Sequence, residues 1–266
     1  MPATSDATLP ADRLSPKAAK TLFCVALVLF ALFASVNGIG VTPERLQQGI
    51  SRSGSLFGLM FHPDWSYLPN VITGLRESLQ IAILGTFFAA LLALPFGALA
   101  ARGLTRVAAI PFFGKTILNL IRTFPELILA IAFIKALGPG PLPGVIAIAC
   151  HSVGMIGKLY AERIESVDRG ALEALSATGA SPLEVFRWGV LPEVFPDFLS
   201  FVLYRFDLNI RSASVLGIVG AGGVGTLLEL QRNGGNWSKI GVILLGIILV
   251  VGTVDLISAR LRARLT

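Results

Sequence analysis

The feature that most constrains this chain is a series of apolar stretches, each long enough to cross a lipid bilayer as a helix. A helix rises about 1.5 Å per residue, so roughly 20 mostly apolar residues span the hydrocarbon, and about six such stretches occur. They are residues 21–40, 76–101, 115–137, 143–160, 196–220 and 239–259. Because 54% of the residues are hydrophobic and only 14% are charged, the sequence predicts an all-α integral membrane protein.

The placement of lysine and arginine predicts which side of the membrane each loop occupies. Cytoplasmic loops keep these residues. With the N-terminus inside, thirteen of them fall in inner segments or inner span ends and six in outer ones. We therefore expect both termini in the cytoplasm and an even number of spans. Nucleic-acid binding is not expected, since the basic residues lie between apolar runs instead of on one polar face.

The first apolar run follows basic residues and superficially resembles a secretory signal, but no A-x-A cleavage site closes residues 21–36. We therefore expect a retained first span. The expected organisation is a cytoplasmic tail at 1–20, the first span and an outer loop at 21–75, a membrane core at 76–260 that includes a cytoplasmic loop at 161–192, and a cytoplasmic tail at 261–266.

Residues with catalytic or metal-binding chemistry are few and scattered. Cys24 and Cys150 each lie inside an apolar stretch, where cysteine behaves as a small hydrophobe, and their spacing supports neither a disulfide nor a metal site. His62 and His151 are the two histidines of the chain, too few for a metal cluster or a catalytic pair. We expect no metal and no catalytic site on this chain.

The loop between the fourth and fifth spans begins with a predicted helix. This first helix is expected to run from Ile164 through Leu172 and Leu175 to Thr178. Gly179 then supplies the left-handed residue that commonly ends a helix.

A second helix is predicted to follow directly. Ser181, Pro182 and Glu184 provide its N-cap, its first helical residue and the N3 partner of a capping box, and Pro192 is expected to end it. Physical chemistry alone leaves two interpretations of this pair of short helices. It either enters a groove of a partner protein or lies on the membrane surface against lipid headgroups.

The 161–192 loop resembles the EAA loop of binding-protein-dependent ABC permeases, whose pattern is E-A-A, three residues, G, nine residues, and I-x-L-P. The matching residues are Glu173, Ala174, Gly179, Leu191 and Pro192. Leu175 replaces the second alanine, and Gly189 stands where the pattern prefers isoleucine, with Val190 beside it. The resemblance implies a coupling helix that fits a cleft in a separate ATPase subunit. It also implies that ATP and Mg are held by that ATPase.

Two segments match parts of nucleotide-binding motifs but lack the required context. Residues 114–116 read G-K-T, yet the earlier P-loop glycine is replaced by Ala109 and no strand is predicted before it. Residues 220–225 satisfy G-x-G-x-x-G but follow an apolar span. We expect this second segment to permit close helix approach or a break in a helix.

Three further segments resemble the phosphonate-type permease subunits. They are residues 122–127 (RTFPEL), 157–162 (GKLYAE) and 209–225. With the EAA-like loop, the resemblance covers residues 70–260. It implies a type I ABC importer permease in the inner membrane, with about six transmembrane helices. It further implies a homodimer that works with an ATPase pair and an extracytoplasmic binding protein, and a phosphonate-like or related phosphorus oxyanion as cargo.

Several charged residues lie inside the predicted spans, where they are costly and usually face a pathway or one another. Arg122 and Glu126 are spaced i,i+4 around Pro125, which predicts an intrahelical pair at a kink. Asp207 and Arg211 have the same spacing.

Arg205 and Asn209 form a second polar face of the fifth span. Arg205 either binds an oxyanion through its planar fork or pairs with Glu126 of the third span. Our hypothesis is that two copies of the chain line a path with Arg122, Arg205, Asn209 and Arg211.

Other functions remain open from the sequence. The coupling loop alone does not identify the cargo, so a permease for methionine or another small solute is an alternative. A proton-coupled secondary carrier could use the same buried charges. A membrane enzyme built on Glu126, Asp207 or Asp255 is disfavoured, because no nucleophile, base and orienting group occur at a recognisable spacing.

Overall fold

The computed structural model describes residues 16–40, 42–104 and 107–265. Within these ranges all regular structure is helical, as predicted. The helices are α1 (Pro16–Ile39), α2 (Pro43–Met60), α3 (Leu68–Ala100), α4 (Ala109–Thr123), α5 (Glu126–Leu137), α6 (Pro141–Glu165), α7 (Arg169–Ala177), α8 (Pro182–Glu184), α9 (Leu191–Leu216), α10 (Val224–Asn233) and α11 (Trp237–Arg262). Most of the tail predicted at 1–20 lies outside the described residues.

The chain divides into two compact units, residues 1–57 and 58–266. The first unit holds α1, an apolar helix long enough to span a membrane, and most of α2. The segment expected to be an outer loop is therefore largely helical. In the second unit, the 3-10 turn Trp65–Tyr67 leads into α3, and Asp64 caps that turn by accepting from the backbone N–H of Ser66 at 3.1 Å.

The number of membrane spans agrees with the sequence prediction once bent helices are counted. Four helices are long and apolar enough to cross a bilayer unbroken. Two further spans are bent pairs, α4 with α5 at 80° and residues 182–219 with α10 at 41°. Counting each pair as one span gives six. The prediction of a single kinked helix over 115–137 is wrong, because the chain there leaves helical geometry before α5 begins.

The break between α4 and α5 follows from a proline. Phe124 precedes Pro125 and is extended, with φ −78° and ψ 121°, because the proline ring disfavours helical geometry in the residue before it. Pro125 is itself extended and caps α5. A new helix, α5, therefore begins at Glu126.

The glycine-rich segment 220–225 interrupts the last bent pair, as expected. Gly220, Gly222 and Gly223 have φ of 99°, 81° and 76°, which only glycine adopts readily. The backbone N–H of Val224, at the start of α10, donates to Ser78 Oγ of α3 at 2.9 Å. The glycines thus allow α10 to begin against α3.

Substituting Gly223 by alanine is expected to destabilise the protein. The added Cβ would clash with Ser78 Oγ, and the positive φ adds strain, together of order 1–3 kcal/mol. Thermal unfolding in detergent measures the effect. Gly252→Ala is the control, because a Cβ there meets nothing within 4 Å. Equal stability of the two variants would contradict the argument.

The core of the second unit is centred on the packing of α3 against α6. Small residues permit this approach, as is common between membrane helices. A Cβ on Gly85 would lie 2.5 Å from Ile148, and one on Gly97 would lie 2.8 Å from Tyr160. Tyr160 also stacks on Phe198 of α9, with ring centroids 3.8 Å apart. The three helices α3, α6 and α9 therefore form the frame on which the polar groups are placed.

Candidate functional site

The predicted first helix of the 161–192 loop is in fact two helices. The helix α6 ends at Glu165, and α7 begins at Arg169. Asp168 caps α7 by accepting from the backbone N–H of Gly170 at 3.0 Å, which explains why helix α6 does not run on to Thr178. The end of α7 agrees with prediction, since Gly179 follows with φ 88°.

The capping box predicted at Ser181 is present. The backbone N–H of Ser181 donates to Glu184 Oε2 at 2.7 Å, and that of Glu184 donates to Ser181 Oγ at 3.4 Å. Pro192, however, does not end the second helix. The chain continues from α8 through a π-helical turn, Val185–Val190, into α9. Pro192 lies in the first turn of α9, where its missing N–H is tolerated.

The two departures from the EAA pattern contact each other. A Cβ on Gly189 would lie 3.0 Å from Leu172 Cδ2 and 3.3 Å from Leu175 Cδ2. The larger side chain at 175 therefore fills the space left by the smaller residue at 189, while Val190 is fully buried below them. The loop keeps a packed interior although two of its pattern positions differ.

The outward face of the loop carries large side chains that no other described residue covers. Leu183 is 76% exposed and Trp188 is 66% exposed, and the Arg187 guanidinium lies 5.2 Å from the Trp188 ring centroid. Glu173 and Ala174 are exposed on α7. Exposed apolar groups beside charges are typical of a protein docking surface.

Ion pairs tie the base of the loop to two spans. Lys115 Nζ of α4 lies 2.8 Å from Glu165 Oε1, and the same oxygen accepts from the backbone N–H of Arg102 at 2.7 Å. Arg163 of α6 pairs with Asp197 and, at 3.6 Å, with Glu193, both of α9. These pairs link the carboxyl end of α6 to α4 and α9.

A cluster of polar side chains is buried between α3, α5, α6 and α9. Arg205 Nε donates to Ser152 Oγ at 2.9 Å, and its Nη2 lies 3.8 Å from Glu126 Oε2. Asn209 Nδ2 donates to Thr86 Oγ1 at 2.8 Å. Arg205 is 6% exposed, and Asn209 is fully buried. Of the two interpretations of Arg205, the geometry favours the pair with Glu126.

The predicted intrahelical pair of Arg122 and Glu126 is wrong, because the break at Pro125 separates them. Glu126 Oε2 instead accepts from Ser212 Oγ at 3.0 Å, while its Oε1 is buried without a hydrogen-bond partner among the described residues. Arg122 is exposed at the end of α4 and forms no ion pair within the part of the chain that the structure describes.

The pair predicted within the fifth span is present. Arg211 Nη2 lies 3.0 Å from Asp207 Oδ2. The Asp207 side chain is 7% exposed and that of Arg211 is 48% exposed. Arg211 therefore presents a charge at the surface of a membrane helix, where hydrocarbon is an unfavourable neighbour.

Sequence reasoning missed three partners in the buried cluster. Thr86 lies in an apolar stretch, Ser152 follows His151, and Ser212 follows Arg211. Their role depends on contacts between spans. His151 is not expected to bind a metal, and its Nδ1 lies 3.2 Å from the Phe124 carbonyl oxygen at the helix break. A signal existed only for His151, as a polar residue deep in a span.

The bent spans, the loop and the buried charges fit a multi-pass permease subunit of an ABC importer. Residues 93–266 match the family described as the binding-protein-dependent transport system inner membrane component, and the chain belongs to that family. Permeases of this family act with a separate ATPase and a substrate-binding protein. The resemblance stated from the sequence is thereby confirmed.

Two relatives of this chain are named for phosphite transport. The chain is 38% identical to the putative phosphite transport system permease protein HtxC of Stutzerimonas stutzeri, over 91% of this chain and 86% of that protein. It is 39% identical to the phosphite transport system permease protein PtxC of the same species, over 90% and 87%. The fold matches an inward-facing MetNI methionine ABC transporter with TM-score 0.65 and 22% identity, over 74% of this chain and 96% of that one.

Proposed function

We propose that this chain forms half of the translocation path for phosphite or a closely related phosphorus oxyanion in an ATP-driven importer. The observation that carries the proposal is the position of Arg122. Its guanidinium stands at the break between α4 and α5, exposed and without an ion-pair partner among the described residues. A planar guanidinium fork matches the oxygens of such an anion.

The charge balance around the break supports an anion as cargo. His151 Nδ1 lies 3.2 Å from the Phe124 carbonyl oxygen at the break, and Glu126, two residues further on, lies 3.8 Å from the Arg205 guanidinium. Glu126 neutralises Arg205, which leaves the positive charge of Arg122 in excess. One excess positive charge at the bend of a broken span is suited to an anion that must bind and then leave.

The exposed charges also support a second copy of the chain. Arg122 and Arg211 lie on surfaces of single spans, and charges in spans face bundle interiors or water-filled cavities instead of lipid. In a homodimer the two copies enclose these residues, with Asp207 and Asn209 behind them. Each copy then contributes both of its bent spans to a shared path.

The 161–192 loop is the proposed site of energy coupling. Glu173, Ala174 and Gly179 lie on or beside α7, and Leu191 and Pro192 anchor the returning chain at α9. We place this loop and both termini in the cytoplasm, where an ATPase dimer holds ATP and Mg. A binding protein delivers the cargo on the opposite side.

The alternatives have less support. The methionine transporter shares the fold at 22% identity, whereas the relatives at 38% and 39% are named for phosphite. A proton-coupled carrier needs no packed loop with an uncovered docking face. The ligand that the partner binding protein retains on purification identifies which phosphorus oxyanion is carried.

Replacing Arg122 by glutamine is expected to lower uptake about tenfold, because a charge-assisted contact worth about 1.4 kcal/mol is lost. Uptake of phosphite into vesicles containing the complete transporter measures the effect. The control is Arg52→Gln on α2, an exposed arginine that is not among the residues proposed to line the path. Transport by the Arg122 variant at the control's rate would remove Arg122 from the path.

A further inference from the structure

A polar stripe runs along the α4 and α6 pair, between the helix break and the 161–192 loop. Lys115, Asn119 and Arg122 of α4 are spaced i, i+4 and i+7, and therefore share one face of the helix. Lys158 of α6 lies beside them. Lys115, Asn119 and Lys158, with Glu162, line one cavity of about 190 Å³.

This cavity lies directly below Arg122 along the helix. At about 1.5 Å per residue, Asn119 stands about 4.5 Å and Lys115 about 10 Å from Arg122 along the α4 axis. Since Lys115 pairs with Glu165 at the end of α6, the cavity is on the side of the loop. An anion that left Arg122 towards the loop would meet these residues next.

The two lysines of the cavity differ in how firmly they are held. Lys115 Nζ lies 2.8 Å from Glu165 Oε1, with side chains 33% and 26% exposed. Lys158 Nζ lies 3.6 Å from Glu162 Oε1, with side chains 46% and 55% exposed. Pairs as exposed as the second contribute little, so the Lys158 ammonium is the one available to a ligand.

The surroundings of Lys158 suit an anion that is only briefly bound. Asn119 is exposed next to it and can donate hydrogen bonds from its amide. Glu162 competes for the same ammonium and keeps the affinity low. A site on a conduction path has to bind strongly enough to admit the ion and weakly enough to release it.

We propose that Lys158 and Asn119 form a second anion site, at which the phosphorus oxyanion is held before release on the loop side. The proposal rests on the proposed function, and it adds two residues that the motif resemblance did not single out for a role. Lys158 is the specificity-determining group, and Asn119 supplies the neutral donor. The carboxylate of Glu162 sets the rate of release.

The test uses the complete transporter, permease with its ATPase and binding protein, reconstituted in lipid vesicles, with phosphite as the probe. Lys158→Gln is expected to lower the number of phosphite ions taken up per ATP hydrolysed by about tenfold, the loss of one charge-assisted contact. An anion that is not held on the inner side returns outward while ATP is still consumed. Lys158→Arg keeps the charge and is expected to restore most of the ratio.

The control is Lys135→Gln, a lysine near the other end of the broken span and exposed. Its ratio should equal that of the wild type. Equal ratios for Lys158→Gln, Lys158→Arg and the wild type would overturn the proposal. So would a defect of Lys158→Gln that occurs only in vesicles containing phosphatidylglycerol, because the cavity would then hold a lipid headgroup. No uptake of phosphite, phosphonate or phosphate by the wild type would instead overturn the proposed function itself, and this site with it.

Discussion

Replacing Glu126 by alanine is expected to reduce the stability of the protein by about 3–5 kcal/mol, the cost of leaving a buried charge without its partner. Arg205 is 6% exposed, and Glu126 is its only carboxylate partner among the described residues. Ser212 loses its acceptor in the same variant. Thermal unfolding in detergent and the yield of monodisperse protein measure the loss.

The matched control removes both charges. In the double variant Glu126→Ala and Arg205→Met, both charges of this buried pair are removed together, and the flexible methionine fills most of the arginine volume. We expect the double variant to recover much of the stability lost in the single one. A single variant as stable as the wild type would contradict the assignment of Arg205 to a structural pair and would return it to the candidates for cargo binding.

Replacing Gly179 by valine is expected to abolish coupling to the ATPase. Gly179 has φ 88°, a conformation that costs an L residue about 1–2 kcal/mol and a β-branched one more. Relief of this strain turns α7 relative to α8 and displaces the docking face. We expect the ATPase subunit to be lost on co-purification and uptake to fall to background.

A second substitution separates surface recognition from loop geometry. Glu173→Lys reverses a charge on the exposed face of α7 and leaves the backbone unstrained, so the permease should fold while the ATPase dissociates. Glu44→Lys makes the same change on α2 and serves as the control. Retention of the ATPase by both the Gly179 and Glu173 variants would show that this loop is not the docking element.

The sequence predicted the existence of the spans better than their interruptions. Pro125 coincides with a break, whereas Pro95 and Pro196 lie inside continuous helices and Pro192 lies in the first turn of α9. The residue before Pro125 is extended, and after the break Glu126 is held by Arg205 and Ser212 from α9. A single sequence reports the proline but not that contact.

In the candidate site, too, local features could be predicted from the sequence, whereas contacts between distant residues could not. Caps are local, so Gly179 and the Ser181 capping box could be predicted from neighbouring residues. Asp168, which caps the start of α7, is an equally local signal of a helix start. The compensation between Leu175 and Gly189, and the contacts of Ser152 and Thr86 with Arg205 and Asn209, join residues far apart in the chain and required the folded structure.

The most direct test of the central claim is uptake of phosphite by the reconstituted transporter, with ATP enclosed on the loop side and the loaded binding protein outside. The account predicts accumulation only when the permease, the ATPase, the binding protein and hydrolysable ATP are all present. Accumulation by the permease alone in response to a proton gradient, or no transport of any phosphorus oxyanion by the complete system, would contradict it.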